Sequence, residues 1–278
     1  MKKLNSYITE RLKLTSKSNT HTYQPKDKDE LRKILEERLN KNKNADLNDI
    51  DVSKITDMSH LFEDLDPHNI KIDQWDVSNV QFIEKMFYNC QNFNCDLSSW
   101  DVSNVKTMDS AFFGCKNFNC DLSNWDVSKV SKMIAVFYDC EKFEGKGLEN
   151  WNVSNVINMK YLFTHCIKFN CDLSKWDVSN VTDMRALFDS CKKFNSDLSK
   201  WNVSKVEYMS ATFNECKQFN SDLSNWNVSK VTTMRYMFAY CDNFTGKGLE
   251  NWKPTKVNDT MNMFIRAYNV KIPSWYKT

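Results

Sequence analysis

Apolar residues return along this chain in columns rather than in patches. One column reads Ile55, Val80, Val105, Val130, Val156, Val181, Val206, Val231 and Val257. Three residues further on stand Met58, Ile83, Met108, Met133, Met159, Met184, Met209 and Met234. Seven further on comes phenylalanine without exception, from Phe62 and Phe87 to Phe238 and Phe264, and ten further on a cysteine from Cys90 to Cys241. Apolar positions at i, i+3, i+7 and i+10 predict one buried face of a short helix of two to three turns. Two residues before each Val sits a serine (Thr255 in the last copy), the hydroxyl expected of an N-cap. The polar-apolar alternation of F-N-x-D-L-S-x-W-[DN]-V predicts one or two short strands. Stacked copies would pair them in a parallel ladder at about 4.8 Å per copy.

The period is set by tryptophan: Trp75, Trp100, Trp125, Trp151, Trp176, Trp201, Trp226 and Trp252 are separated by 25, 25, 26, 25, 25, 25 and 26 residues. Self-similarity at such a period means one supersecondary unit stacked on copies of itself. The expected fold is an α/β right-handed solenoid of about nine 25-residue coils, each a short strand plus a short helix. The asparagines after the second Phe (Asn94, Asn119, Asn170, Asn195, Asn220) are placed to bond the coils above and below. Two copies carry Gly145-Lys146-Gly147 and Gly246-Lys247-Gly248, the permissive backbone for the extra residue of each 26-residue gap. Residues 25–45 place Leu31, Ile34, Leu35 and Leu39 on one face of a capping helix. The division expected is 1–24 a tag or flexible segment, 25–45 the helical cap, 46–264 the solenoid and 265–278 a C-terminal cap.

Composition narrows function by exclusion. Lys and Arg number 38 against 36 acids, a net charge of +2, so no strong field invites nucleic acid or an anionic membrane. With no export signal or membrane-length apolar run in view, a cytoplasmic location is expected. Ten cysteines fall in two columns, one complete (Cys90 to Cys241) and one partial (Cys95, Cys120, Cys171), where serine substitutes at Ser196 and Ser221. A small inward-filling hydrophobe is the plain reading of them. Inter-coil disulfides and a four-thiolate zinc site are the alternatives. The aspartate columns, Asp96 to Asp222 and Asp76 to Asp177, are expected to bond turns rather than hold calcium. The interrupted lysine column (Lys54, Lys129, Lys205, Lys230, Lys256) is expected to be a solvated edge. Four scattered histidines and no phosphate, nucleotide, nucleophile-elbow or zincin motif argue against an enzyme; no cofactor and no metal are expected.

The phrase W-D-V-S-N-V-x-x-M-x-x-x-F, as in Trp100 to Phe112 and Trp176 to Phe188, resembles the 25-residue BspA-like leucine-rich repeat of mycoplasma surface lipoproteins and of gut bacterial and phage proteins. The resemblance spans about residues 46–264 and implies a leucine-rich-repeat-like solenoid and, for exported members, adhesion or protein binding. It supplies no catalytic residues. Residues 4–14 are similar to N-terminal tags on some tailed-phage proteins, which implies a virion-associated or packaged structural protein as the alternative role. The first expectation is a monomeric, non-enzymatic scaffold that binds a protein partner, with neither nucleic acid nor membrane. Its candidate binding surface lies where side chains drift between Met and Cys: Tyr88, Phe113, Tyr138, His165, Asp189, Glu215 and Tyr240.

Overall fold

The computed structural model describes residues 21–277. The candidate tag therefore lies almost wholly outside the described residues, although Thr22 and Tyr23 are bound to the first coil. The Thr22 N–H donates to the Asp49 carbonyl at 2.8 Å, and Tyr23 forms a parallel bridge with Ile50.

The chain is a repeat solenoid. A single line of parallel bridges runs through Asp57, Phe82, Thr107, Lys132, Asn158, Asp183, Tyr208, Thr233 and Asp259, one residue from each of nine coils. The strand and helix expected in each coil do not form. These bridges fall between the Val and Met columns and stay isolated; of the described residues in the F-N-x-D-L-S-x-W stretch and its first-coil equivalents, only Asp46, Ile50 and Lys71 bridge. The segment from Met to Cys is a run of tight turns. In the coil of Trp100, i to i+3 bonds close at Val102–Val105, Met108–Ala111, Phe112–Cys115 and Cys115–Phe118, each 2.9–3.0 Å. Leu97–Trp100 closes likewise at 3.2 Å. Every such turn drives one apolar residue inward, which reproduces a helical spacing without a helix.

What prevents the helix is a pair of left-handed residues in each coil, five and nine positions after the Val column. His60 and Asp64, Lys85 and Asn89, Ala135 and Asp139, Tyr161 and His165 all have φ between +52° and +62°. Such a residue costs roughly 1–2 kcal/mol when it is not glycine. The compensation is a ladder to the next coil. N–H groups of Ile83, Lys85, Phe87 and Asn89 donate to the carbonyls of Thr107, Asp109, Ala111 and Phe113 at 3.2, 2.9, 2.8 and 2.7 Å, and the intervening N–H groups close the turns. The donors of this segment point toward the next coil, whereas the N–H one residue past the Val column donates back, as Lys106 does to the Gln81 carbonyl at 2.9 Å. The column serines are not N-caps. Asp51, Asp101 and Asp177 side chains accept from the N–H two residues on, at Ser53, Ser103 and Ser179, at 3.0 Å each, an Asx turn.

The interior is aromatic and continuous. Phe87, Phe112, Phe137 and Phe163 stack at 5.5–5.8 Å. The tryptophans stack beside them, and each indole N–H donates to a carbonyl of the coil before, as Trp125 does to Leu97 at 3.1 Å. Trp275 continues this line, 6.1 Å from Trp252 and donating to Leu249, so residues 265–276 complete the ninth coil. The asparagine column bonds as expected: Asn94 Oδ1 accepts from the Asn119 N–H and Asn119 Oδ1 from the Glu144 N–H, at 2.9 and 3.0 Å. At the 26-residue coils, Gly147 and Gly248 take φ of 94° and 91° and enter short 3-10 turns. A Cβ on either would sit 2.2 Å from the backbone nitrogen of Ser123 or Ser224, so only glycine fits.

One α-helix, α1 (Lys28–Lys41), covers the first coil. Asp27 caps it by accepting from the Glu30 N–H, and Leu31, Leu35 and Leu39 are buried against the coil. Arg32 spreads over the coil's carbonyls, donating to His60, Leu61 and Glu63 at 3.0 Å each. Among the described residues no helix is long and apolar enough to cross a membrane.

Candidate functional site

The turn that buries each column Phe leaves the next residue half-buried or exposed in seven coils, with Thr164 and Ala239 buried in the other two. Position +8 from the Val column therefore lies on a lateral face with the two left-handed positions. On this face Tyr88, Phe113 and Tyr138 form a half-buried strip, with ring centroids 4.7 and 4.5 Å apart and planes within 15°. Tyr138 meets His165 at 5.7 Å and Tyr161 edge-on at 6.5 Å. Burial, with Asp139 beside it, pushes the Tyr138 phenol above its ordinary range. Four of the seven candidate residues are thus one continuous strip.

The other three lie further along. Asp189 accepts from Asn214 Nδ2 at 2.8 Å and Ser190 Oγ at 3.0 Å, yet burial outweighs these bonds and raises its carboxyl above the usual value. Glu215 is half-buried in the next coil. Tyr240 lies near the far end between two cations, with Lys217 at 5.9 Å and Arg266 at 5.5 Å from its ring. Sequence reasoning missed the +4 and +5 positions. Lys85 sits 5.2 Å over Tyr88, Lys160 covers Tyr161, Arg185 covers Tyr208 and Arg235 covers Tyr236. A cation next to an aromatic in sequence is the signal at Lys160-Tyr161 and Arg235-Tyr236; the other two pairs leave no such mark.

The other candidate chemistries are absorbed by the scaffold. Each thiol of the complete cysteine column donates to the carbonyl of a column Phe one coil back, as Cys115 does to Phe87 at 3.0 Å and Cys241 to Phe213 at 2.8 Å. All ten are buried and free. Burial pushes Cys95, Cys120 and Cys171 up to about 12, so they stay thiols, poor nucleophiles and poor metal ligands, at neutral pH. Hydrogen bonds from the Ser98 and Ser103 groups hold Asp96 and Asp101 below the ordinary carboxylate range. Lys129 and Lys205 donate to Asn104 and Asn180 of the preceding coils at 2.7 Å each. Among the described residues, no three His, Cys, Asp or Glu side chains are grouped to hold a metal ion.

Stacked coils with a uniform interior and a non-uniform lateral face define a repeat-solenoid protein. The chain belongs to the family described as "Mycoplasma protein of unknown function, DUF285", whose model matches residues 30–146, 108–213, 131–252 and 199–277. No curated protein matches the chain. Among solved structures, "Crystal structure of TLR13-ssRNA13 complex" is 10% identical over 89% of this chain and 48% of that one, with a TM-score of 0.21. The chain thus spans about half that protein's length, and at this score the likeness bears no weight.

Proposed function

We propose that this chain is a non-enzymatic, BspA-like repeat scaffold that recognises a protein partner through its lateral face. The observation that carries the reading is the strip Tyr88–Phe113–Tyr138, half-exposed on a backbone that is the same from coil to coil. Rigid rings with nearby cations are the groups that carry binding energy at protein interfaces, because they bury large area with few rotamers to freeze. A solenoid holds such groups at fixed spacing, which lowers the ordering cost of binding. Ten pushed-up or buried thiols and carboxylates engaged in turns offer no activated nucleophile or general base to support a catalytic reading.

The test is cross-linking capture from a host lysate with three baits: the full chain, the Phe113→Asp variant, and a chain beginning at His21. One partner held by the first and third and weakened at least about tenfold by Phe113→Asp, about 1.4 kcal/mol, is the expected result. Capture indifferent to Phe113→Asp would overturn the reading. Loss with residues 1–20 would transfer recognition to that segment and favour the virion-tag role.

A further inference from the structure

The inter-coil backbone bonds of the Met-to-Cys segment run one way, and along that segment they leave the two ends of the stack chemically different. Each coil donates alternate N–H groups forward: Met234, Tyr236, Phe238 and Tyr240 donate to the carbonyls of Asp259, Met261, Met263 and Ile265 at 2.8–3.0 Å. The first coil has no earlier coil to donate to the equivalent carbonyls, and Arg32 of α1 covers those of Leu61 and Glu63. In the ninth coil the equivalent donors are the amides of Thr260, Asn262, Phe264 and Arg266. None has an acceptor among the described residues. Asn262 and Arg266 keep the left-handed φ of the other coils, 55° and 57°, so the row is held in donating geometry.

The side chains around this row have changed with it. The +4 position is polar or charged in every earlier coil but that of Ile134, and the +11 position in every one but that of Ile167. In the last coil they become Met261 and Tyr268, 53% and 85% exposed, beside Ile265 and Ile272 at 38% and 51%. The amides open into a groove lined by Thr260, Met261, Asn262, Ile265, Ile272 and Tyr276. Surface apolar residues gathered in one place mark an interaction site. Residues 253–277 carry Lys253, Lys256, Arg266, Lys271 and Lys277 against the single acid Asp259, and Lys277 lines the groove.

We infer that this C-terminal edge is a docking site for an acidic segment of a partner protein that takes up the turns of a further coil. The segment lays alternate backbone carbonyls on the four amides and apolar side chains on Met261, Ile265 and Ile272. This is edge augmentation, in which main-chain bonds hold the ligand and flanking pockets select it. The other occupants fit badly. Two copies meeting by this edge set donors against donors and cations against cations. The opposite edge of a second copy is closed by α1. Residues 1–20 carry Lys2, Lys3, Arg11, Lys13 and Lys17 against Glu10, the wrong charge for a basic groove.

A probe already exists within the chain. Residues 178–190 present the carbonyls of Asp183, Arg185, Leu187 and Asp189 to the amides of Met159, Tyr161, Phe163 and His165 at 2.8–3.0 Å, and carry two acids against one cation. A synthetic peptide of that sequence is added to the full chain, and amide hydrogen exchange is followed residue by residue. The expected result is selective slowing at Thr260, Asn262, Phe264 and Arg266. Binding should weaken at least about tenfold when the peptide's aspartates become lysines, or when the protein carries Ile265→Lys and Ile272→Lys with unchanged thermal unfolding. Three results would overturn the inference. One is no slowing at about 1 mM peptide, the weak end of specific binding. Another is equal slowing with a scrambled peptide. The third is protection already present in the peptide-free chain, whether it depends on protein concentration (a second copy) or vanishes with residues 1–20 (the chain's own segment).

Discussion

Phe137 and Tyr138 are neighbours in sequence and opposites in environment. Phe137 is fully buried, with Phe112, Phe143 and Phe163 at 5.6, 4.3 and 5.8 Å. Tyr138 is half-buried on the lateral face, stacked on Phe113 at 4.5 Å. The Phe137 column holds phenylalanine in all nine coils; the Tyr138 column runs Glu63, Tyr88, Phe113, Tyr138, Thr164, Asp189, Asn214, Ala239 and Ile265. The same backbone therefore dictates one residue on its inner side and tolerates any on its outer side. Stacking at a fixed coil rise leaves one shape for an inward ring, because neighbouring coils must close over it at crystal-like density. The outward position is less constrained: it is half-buried or exposed in seven coils, and Thr164 and Ala239 are buried in the other two.

The sharpest way to break this contrast is to truncate both rings. Phe137→Ala removes a ring from a stack that cannot collapse locally, and is expected to cost about 3–5 kcal/mol. In a solenoid the loss falls on the interfaces with the coils on either side. Denaturant unfolding should therefore lose its single transition and show the two flanking blocks melting separately. A cost under about 1 kcal/mol with one transition kept would contradict the packing described. Tyr138→Ala, one residue on, gives up a stacked pair and part-exposed area, and about 1 kcal/mol is expected with the single transition intact. If urea midpoints showed the two variants equally damaged, the division between inner scaffold and outer face would fall.

This contrast also explains what was legible beforehand. The inward columns were visible because period alone reveals them, and the solenoid, the capping helix over Leu31, Leu35 and Leu39, and the asparagine ladder all followed from it. The helix per coil was wrong because successive tight turns also bring residues inward at i, i+3 and i+7. What distinguishes the two is the left-handed pair, and here sequence is nearly silent. Ala135, Tyr161 and Ala186 carry φ of 53°, 62° and 51° without the glycine or asparagine that ordinarily announces it. Their cost is met by bonds to the next coil, a long-range term that no local window contains. The serine column was misassigned for a simpler reason. Asp-x-Ser is an Asx-turn spacing as well as a cap, and the aspartate proves to be the acceptor. Of the candidate face, Tyr88, Phe113, Tyr138 and His165 adjoin one another in the structure, and the cation over Tyr88 was not read from the sequence.

The smallest effect concerns charge on the outer side. Burial raises the Asp189 carboxyl, whereas Asp121, paired with Lys146 at 2.7 Å and bonded by the Ser123 turn, is held down to about 2. The two contribute with opposite sign. A depressed group such as Asp121 adds stability above the ordinary unfolded value of about 3.9, and the gain is lost as pH falls toward its folded value. A raised group such as Asp189 costs nothing below that unfolded value and becomes a burden as pH climbs through its folded value, because the native chain must ionise a buried carboxyl. Asp189→Asn keeps an oxygen to accept from Asn214 and Ser190 while removing the charge. It is expected to stabilise the chain at pH 7 by less than about 1 kcal/mol and to have no effect near pH 3. Melting temperatures of both proteins across that range decide it. A gain of the same size at both ends of the range would mean that packing, not ionisation, separates Asp from Asn at this position.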